Sequence, residues 1–280
     1  MGSPQKVYLN KMKPIKVTNE RTGGNLFHYA HFICDCLYPE FLSGVFDYTD
    51  VFRLKSIHQT LGNFASFYEE ISGSKNHELA LESFESLDYD HVICKRKEDE
   101  NDLANFKSFR DFIFNRLDVK ALIDEMNKSY CSAPEILLIK RGEPTELISD
   151  EELKLENPNQ TNGKERREIL GVDKVEEKLK NIYGSRIRSV VLEEMPFRMQ
   201  VFLFNQAKFI ICAHGACMSN LFFCEPGTKI LEVQAQNAQD RAIGAGHYPF
   251  FDYISKTLDL DQHKTKNNPF MVIKTAQKIH

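Results

Sequence analysis

Four short apolar runs dominate the second half of the chain: Glu135–Lys140, Ser189–Glu193, Phe209–Ala213 and Lys229–Val233. They read as buried strands. The stretches between them, Lys164–Tyr183 and Pro196–Gln206, carry helical patterning, the second with a proline at its first turn. Alternating strands and helices predict a parallel sheet with right-handed crossovers. The first half is less regular. Residues 24–43 form an aromatic-rich apolar segment with helical spacing after Gly23, Gly24 and Asn25. In it His28, His31 and Asp35 fall at i, i+3 and i+7, so one helix face carries all three. Val51–Leu54 and His91–Cys94 read as short strands, and Leu61–Ile71 and Asn105–Met126 as helices. No repeat or low-complexity block interrupts this order.

The pattern places a domain boundary near Ser129–Pro134. An N-terminal domain then covers 1–130 and a C-terminal domain 131–265. The closing segment 266–280, with the apolar Pro269–Ile273, is expected to return to the first domain.

Composition narrows the function classes. The 280 residues suffice for two modest domains, and 42% hydrophobic with 27% charged residues is ordinary globular usage. A net charge of −4 with no dominant basic stripe speaks against nucleic acid as partner. The seven cysteines are irregularly spaced, and Cys94, Cys212 and Cys224 sit inside apolar runs. They read as buried free thiols in a reducing compartment. No run reaches membrane-spanning length, so the chain is expected to be soluble and cytoplasmic.

The candidate chemistry gathers where the third strong strand ends. His214-Gly215-Ala216, followed by Ser219 and Asn220, opens onto a short helix. Small residues there permit close approach to the backbone. A helix N-terminus at the carboxyl end of a buried strand favours a phosphate-bearing ligand. Arg141 ends the first of these strands, Glu135–Lys140, and would reach the same edge with a fork suited to phosphate. Glu232, near the end of the next strand, has the chemistry to accept hydrogen bonds from ribose hydroxyls. Glu194, Met195 and Phe197 lead from another strand into a helix, where the latter two offer a shelf for a flat base. Gln200 is placed to brace that loop. Asp88-x-Asp90 and Asp259-x-Asp261 look like metal-binding pairs, but neither follows a buried strand at the proposed edge, and both are read as chance spacings.

Taken together, Ile139–Arg141, Leu192–Gln200, Ile211–Phe223 and Glu225–Glu232 resemble glycosyltransferase family 61. This group contains plant glycan xylosyltransferases and O-linked N-acetylglucosaminyltransferases. A weaker likeness runs from Asn25 to Asp35, where either His28 or His31 matches the family's histidine. The absence of an anchor is similar to soluble members encoded by large DNA viruses. The resemblance implies an α/β fold of GT-B type, two Rossmann-like domains facing across a cleft. A UDP-sugar donor would bind the C-terminal domain, and a glycan acceptor would enter against the N-terminal one. It implies inverting transfer of a sugar, xylose first and N-acetylglucosamine second. Asp35, with His31 or His28, would serve as base. Arg141, Glu194, Met195, Phe197, His214, Gly215, Ala216, Ser219, Asn220 and Glu232 would hold the donor. No permanently bound cofactor and no divalent metal are expected, since Arg141 and helix amides can carry the diphosphate charge. Two other readings stand beside this one: a non-catalytic nucleotide-sugar or glycan-binding module, and a cysteine hydrolase using Cys212 or Cys217 beside His214.

Overall fold

Alternation at the start of the chain already encodes a strand: in β1 (Ile15–Asn19) Ile15, Val17 and Asn19 are buried and the residues between them are half-exposed. The computed structural model describes residues 14–19, 26, 29–54, 60–79, 90–95, 103–129, 133–142, 168–234 and 250–280. It divides into two compact units, Met1–Arg96 and Lys97–His280.

In the first unit β1 leads to the helical stretch α1 (residues 29–42), β2 (Asp50–Leu54), α2 (Ala65–Ser72), β3 (Lys75–Leu79) and β4 (Asp90–Cys94). The four strands form one parallel sheet in the order β3-β2-β1-β4. The helix α1 is not uniform. Phe32–Leu37 winds as a π-helix, with the Tyr38 amide bonding back to the Ile33 carbonyl, five residues earlier. A π-turn inserts extra residues per turn and realigns the side chains beyond it.

The second unit contains α3 (Leu103–Leu117), α4 (Val119–Ser129), β5 (Ile136–Lys140), α5 (Val172–Tyr183), β6 (Ile187–Val191), α6 (Phe197–Gln206) and β7 (Phe209–Ala213). A 3-10 helix (Ala216–Phe223), β8 (Lys229–Gln234), α7 (Phe250–Thr257), β9 (Asp261–Lys266) and α8 (Pro269–Ile279) complete it. The sheet is parallel throughout, in the order β6-β5-β7-β8-β9. Both faces are covered, which is why its central strands are apolar at nearly every position. One face packs Ile136, Leu138, Ile211, Leu231 and Val233 under Val175 and Leu179 of α5 and Val272 and Ala276 of α8.

Three elements differ from the sequence expectation. The helix expected over 105–126 is two helices, broken at Asp118, whose φ of 44° lies in the left-handed region that aspartate tolerates better than most residues. Those helices fall in the second unit, not before a boundary at 130. The physical reason is aromatic packing: Phe106 and Phe109 both meet the edge of Phe222, with Phe109 at 5.2 Å and 90°. The closing segment, expected to return to the first domain, buries Val272 and Ala276 in the second unit's core, and the Tyr183 hydroxyl donates to the Ala276 carbonyl.

Candidate active site

Strand order sets where the second sheet can bind a ligand. The chain winds from β5 outward to β6 and then reverses to β7, β8 and β9, so the topological switch point lies between β5 and β7. Ligands of open α/β sheets bind in the crevice at the carboxyl ends of such strands. The registers show that crevice opening. Pairing of β5 with β6 runs to Lys140 and Val191, and that of β7 with β8 to Ala213 and Val233. Pairing of β5 with β7 stops at Leu138 and Ile211. Arg141 and His214 follow the two diverging strands.

Gly142 allows the β5 end to turn. A Cβ there would stand 2.8 Å from Val191 Cγ1 and 3.3 Å from Glu193 Cβ, so no larger residue fits without displacement. Its amide donates to Glu193 Oε2 at 3.3 Å. Arg141 is 17% exposed, with Nε 3.8 Å from Glu193 Oε1. That is too long for a hydrogen bond, and among the described residues the buried Nε has no acceptor. A buried guanidinium nitrogen without an acceptor, beside an open crevice, suits an anion.

Parity explains the His214 environment. Cys212 and Glu232 are register partners, so His214, two residues on, faces the same side as Glu232. His214 Nδ1 meets Glu232 Oε1 at 2.6 Å, with side chains 5% and 3% exposed. The next strand joins in, because Glu232 pairs with Lys264 in β9. Gln262 Nε2 donates to Glu232 Oε2 at 2.6 Å, and Lys264 Nζ lies 3.8 Å from the same oxygen while pairing with Asp252 of α7 at 2.7 Å. Burial pushes the Glu232 carboxyl up, but the His214 hydrogen bond and charge, with Lys264 and Gln262, hold it below the usual carboxylate value. Both carboxylate oxygens are thus engaged inside the protein. Glu232 is therefore an orienting partner of His214, and the ribose contact expected of it does not fit this geometry.

The loop residues are braced from behind. Gln200 donates to the Leu192 and Met195 carbonyls at 3.0 and 3.2 Å and accepts from Asn220. Ser219 and Asn220 are fully buried, which makes them supports of the loop and not surface contacts. Gly215 is buried and Ala216 half-buried at the start of the 3-10 helix. Asn205 donates to the Phe223 carbonyl and to Glu225, and Arg110 donates to the Cys224 carbonyl, fastening the helix's other end. Phe197 is half-buried with its ring edge-on to Phe223 at 5.5 Å, and Met195 is half-buried beside it. The Glu194 side chain lies outside the described residues. Cys212 is buried, with its thiol pushed well up by Cys217 and by burial, the opposite of what a nucleophilic cysteine needs.

The first unit carries a histidine–carboxylate pair at the candidate position predicted from the sequence. His31 Nδ1 meets Asp35 Oδ2 at 2.5 Å, one helical step apart, with side chains 35% and 1% exposed. The Asp35 carbonyl accepts from Asn19 Nδ2, which closes β1, at 2.9 Å. Beneath it lies a buried ion pair: Arg53 grips Glu40 with two bonds of 2.7 and 2.6 Å. Arg53 also donates to Asn76, and its guanidinium lies 4.7 Å over the Tyr68 ring. His28 lies outside the described residues.

A model of the family described as Glycosyltransferase 61 matches residues 29–231. The chain belongs to this family. No curated protein matches the chain at a significant level. The family match starts just before His31 and ends just before Glu232, so it takes in the first pair, Arg141, Gln200 and His214. As a family 61 member the protein is a glycosyltransferase, with a sugar donor and an acceptor as substrates. Among the described residues no helix is long and apolar enough to cross a membrane. Asp259 and Asp261 stand where β9 begins, at the amino edge opposite the crevice, and Asp261 pairs with His263. Asp88 lies outside the described residues.

Several site residues left no trace in the sequence pattern. Gln262, Lys264 and Asp252 belong to a polar edge strand and the helix before it, and Asn19, Glu40 and Arg53 come from three separate elements. Only Gly142 had a usable signal, a glycine directly after a strand and a candidate arginine.

Proposed function

We propose that the protein transfers a sugar from a UDP-sugar to a hydroxyl of a glycan acceptor, with inversion at the anomeric carbon. The observation that carries this reading is the crevice between β5 and β7, whose strands lead into Arg141 and His214: among the described residues the buried Arg141 Nε has no acceptor, and His214 is oriented by Glu232. The donor diphosphate fits that edge, with the amides at the start of the 3-10 helix adding positive potential. In the reaction the acceptor oxygen bonds to the anomeric carbon. The carbon's bond to the phosphate oxygen breaks, and the electron pair leaves with the diphosphate. Arg141, His214 and helix amides stabilise that departing charge, and the His31–Asp35 pair receives the acceptor proton. A divalent metal and a bound cofactor have no part in this scheme.

The two-domain GT-B reading belongs to the same proposal: the second unit binds donor and the first supplies the base. Xylose is the favoured sugar and N-acetylglucosamine the alternative, both on the family resemblance. A cytoplasmic setting accords with the buried free thiols. The test is a thermal-shift screen with UDP, UDP-xylose and UDP-N-acetylglucosamine. A ligand that binds only the folded state raises the melting temperature by mass action, about 2.7 kcal/mol at a hundredfold excess over Kd. Uridine nucleotides are expected to raise it, and failure of all three would remove the donor assignment. EDTA is expected to leave UDP release from the donor within about twofold, since about 1.4 kcal/mol would already change it tenfold.

A further inference from the structure

We propose that Glu193 limits how tightly the protein holds the diphosphate. Its carboxylate is fixed beside Arg141 as a counter-ion that the donor must replace and that helps UDP to leave. The inference rests on the glycosyltransferase reading, which puts the diphosphate at Arg141, and adds a residue and a role which that reading lacks.

Local chain geometry brings the acid there. Lys140 and Val191 are register partners at the ends of β5 and β6, so the two chains leave the sheet side by side. The Gly142 amide donates to Glu193 Oε2 at 3.3 Å, and Glu193 Oε1 stands 3.8 Å from Arg141 Nε. Gly142 admits the carboxylate, since a Cβ at this position would lie 3.3 Å from both Glu193 Cβ and Glu193 Oε2. The 3-10 turn that carries Glu193, Leu192–Glu194, is itself held, because Gln200 donates to the Leu192 and Met195 carbonyls. Glu193 is thus anchored by its neighbours, and no hydrogen bond closes the gap between its Oε1 and Arg141 Nε.

Charge decides what this arrangement does. The Arg141 and Glu193 side chains are both largely withdrawn from water, so their attraction is only partly screened. The same carboxylate repels a second anion that approaches the guanidinium. A site shaped for affinity alone has no use for it, because a glutamine could accept from the Gly142 amide without the charge. The carboxylate has a use where release matters. Tighter ground-state binding of the donor does not raise turnover, and departure of product often limits it. As UDP leaves, Glu193 compensates the Arg141 charge, and the empty site does not retain a bare, partly buried cation.

The experiment measures UDP binding to the purified full chain by calorimetric titration, with uridine as the probe that lacks phosphates. Glu193→Gln keeps an acceptor for Gly142 and removes the charge. It is expected to tighten UDP by about three- to thirtyfold, between the effects of an exposed and a buried ion pair, and to leave uridine unchanged. In turnover of UDP-xylose or UDP-N-acetylglucosamine, the donor KM and the inhibition constant of UDP should fall by the same factor, and kcat should not rise. Glu193→Asp retains the charge and should stay within about twofold of the wild type. Glu193→Ala should also tighten UDP, which guards against an effect peculiar to glutamine. Unchanged or weaker UDP binding in the Gln and Ala variants would overturn the proposal and leave Glu193 a support of the turn. Equal tightening by Glu193→Asp would overturn it too, since charge would then not be the cause. The underlying reading fails by a different result: a wild type that does not bind UDP, or an Arg141→Ala variant that binds it equally well. Either would remove the diphosphate from Arg141, and the role of Glu193 with it.

Discussion

The His31–Asp35 and His214–Glu232 pairs are chemically alike and physically opposite. His31–Asp35 is local, four residues apart on one helical stretch, with its imidazole partly in solvent. His214–Glu232 joins two neighbouring strands, with both side chains buried and a third strand closing over the carboxylate. A partly exposed imidazole can exchange protons with a substrate and with water. A buried one backed by Glu232, Gln262 and Lys264 is held in one orientation and serves best as a fixed donor toward an anion. The difference teaches that residue type does not assign a role; exposure and the number of partners on the carboxylate do.

Breaking the foundation of the first pair should have the largest effect. Arg53→Leu leaves Glu40 charged and buried without its partner, which should destabilise the fold by about 3–5 kcal/mol in chemical denaturation. A loss under about 1 kcal/mol, the range of an exposed ion pair, would mean that Glu40 does not depend on Arg53. Next comes the contrast between the histidines. His214→Ala should abolish the UDP-induced melting shift and lower turnover by about 10²–10³-fold, as for loss of one oxyanion donor. His31→Ala should keep the shift. Equal behaviour of the two variants in that assay would erase the comparison.

Smaller changes sharpen it. Glu232→Gln offers one acceptor oxygen where the carboxylate offers two, so either His214 or Gln262 loses its partner. The expected destabilisation is about 1–3 kcal/mol, whereas Asp35→Asn, with a partly exposed partner, should stay nearer 1 kcal/mol or below. Gly142→Ala forces a methyl group against Val191 and Glu193, and should destabilise by about 1–3 kcal/mol while weakening UDP binding.

The smallest effect is on pH dependence. Burial pushes the Glu176 carboxyl up, but the Lys180 and Lys140 ammonium groups bring it down to about 2. Its folded value is thus below its unfolded value of about 4.3. The stabilisation is present above the unfolded value and drains away as pH falls toward the folded one. Glu232 shifts in the same direction and adds to the loss. Glu176→Gln should flatten the melting temperature between about pH 5 and 2.

How much of this was legible follows from where each residue lies. The strands Ile136–Lys140, Phe209–Ala213 and Lys229–Gln234 were readable because a parallel sheet covered on both faces needs apolar residues at nearly every position. The edge strands Lys75–Leu79 and Asp261–Lys266 were not. Edge positions favour charged and polar side chains, and the sequences KNHEL and DQHKTK look like loop. The His31–Asp35 pair was visible as helical spacing, whereas the Arg53–Glu40 clamp beneath it, drawn from a strand and a helix, was not.

Sequence alone determined the alternating α/β pattern, the family and the candidates Arg141, His214, His31 and Asp35, since these depend on local runs and short spacings. Tertiary structure decided the pairings. Only strand order and register could show that β5 and β7 part beside Arg141 and His214, and that Glu232 faces inward to a histidine. Pairings between residues far apart in the chain depend on how the sheet is wound, and no local pattern records that.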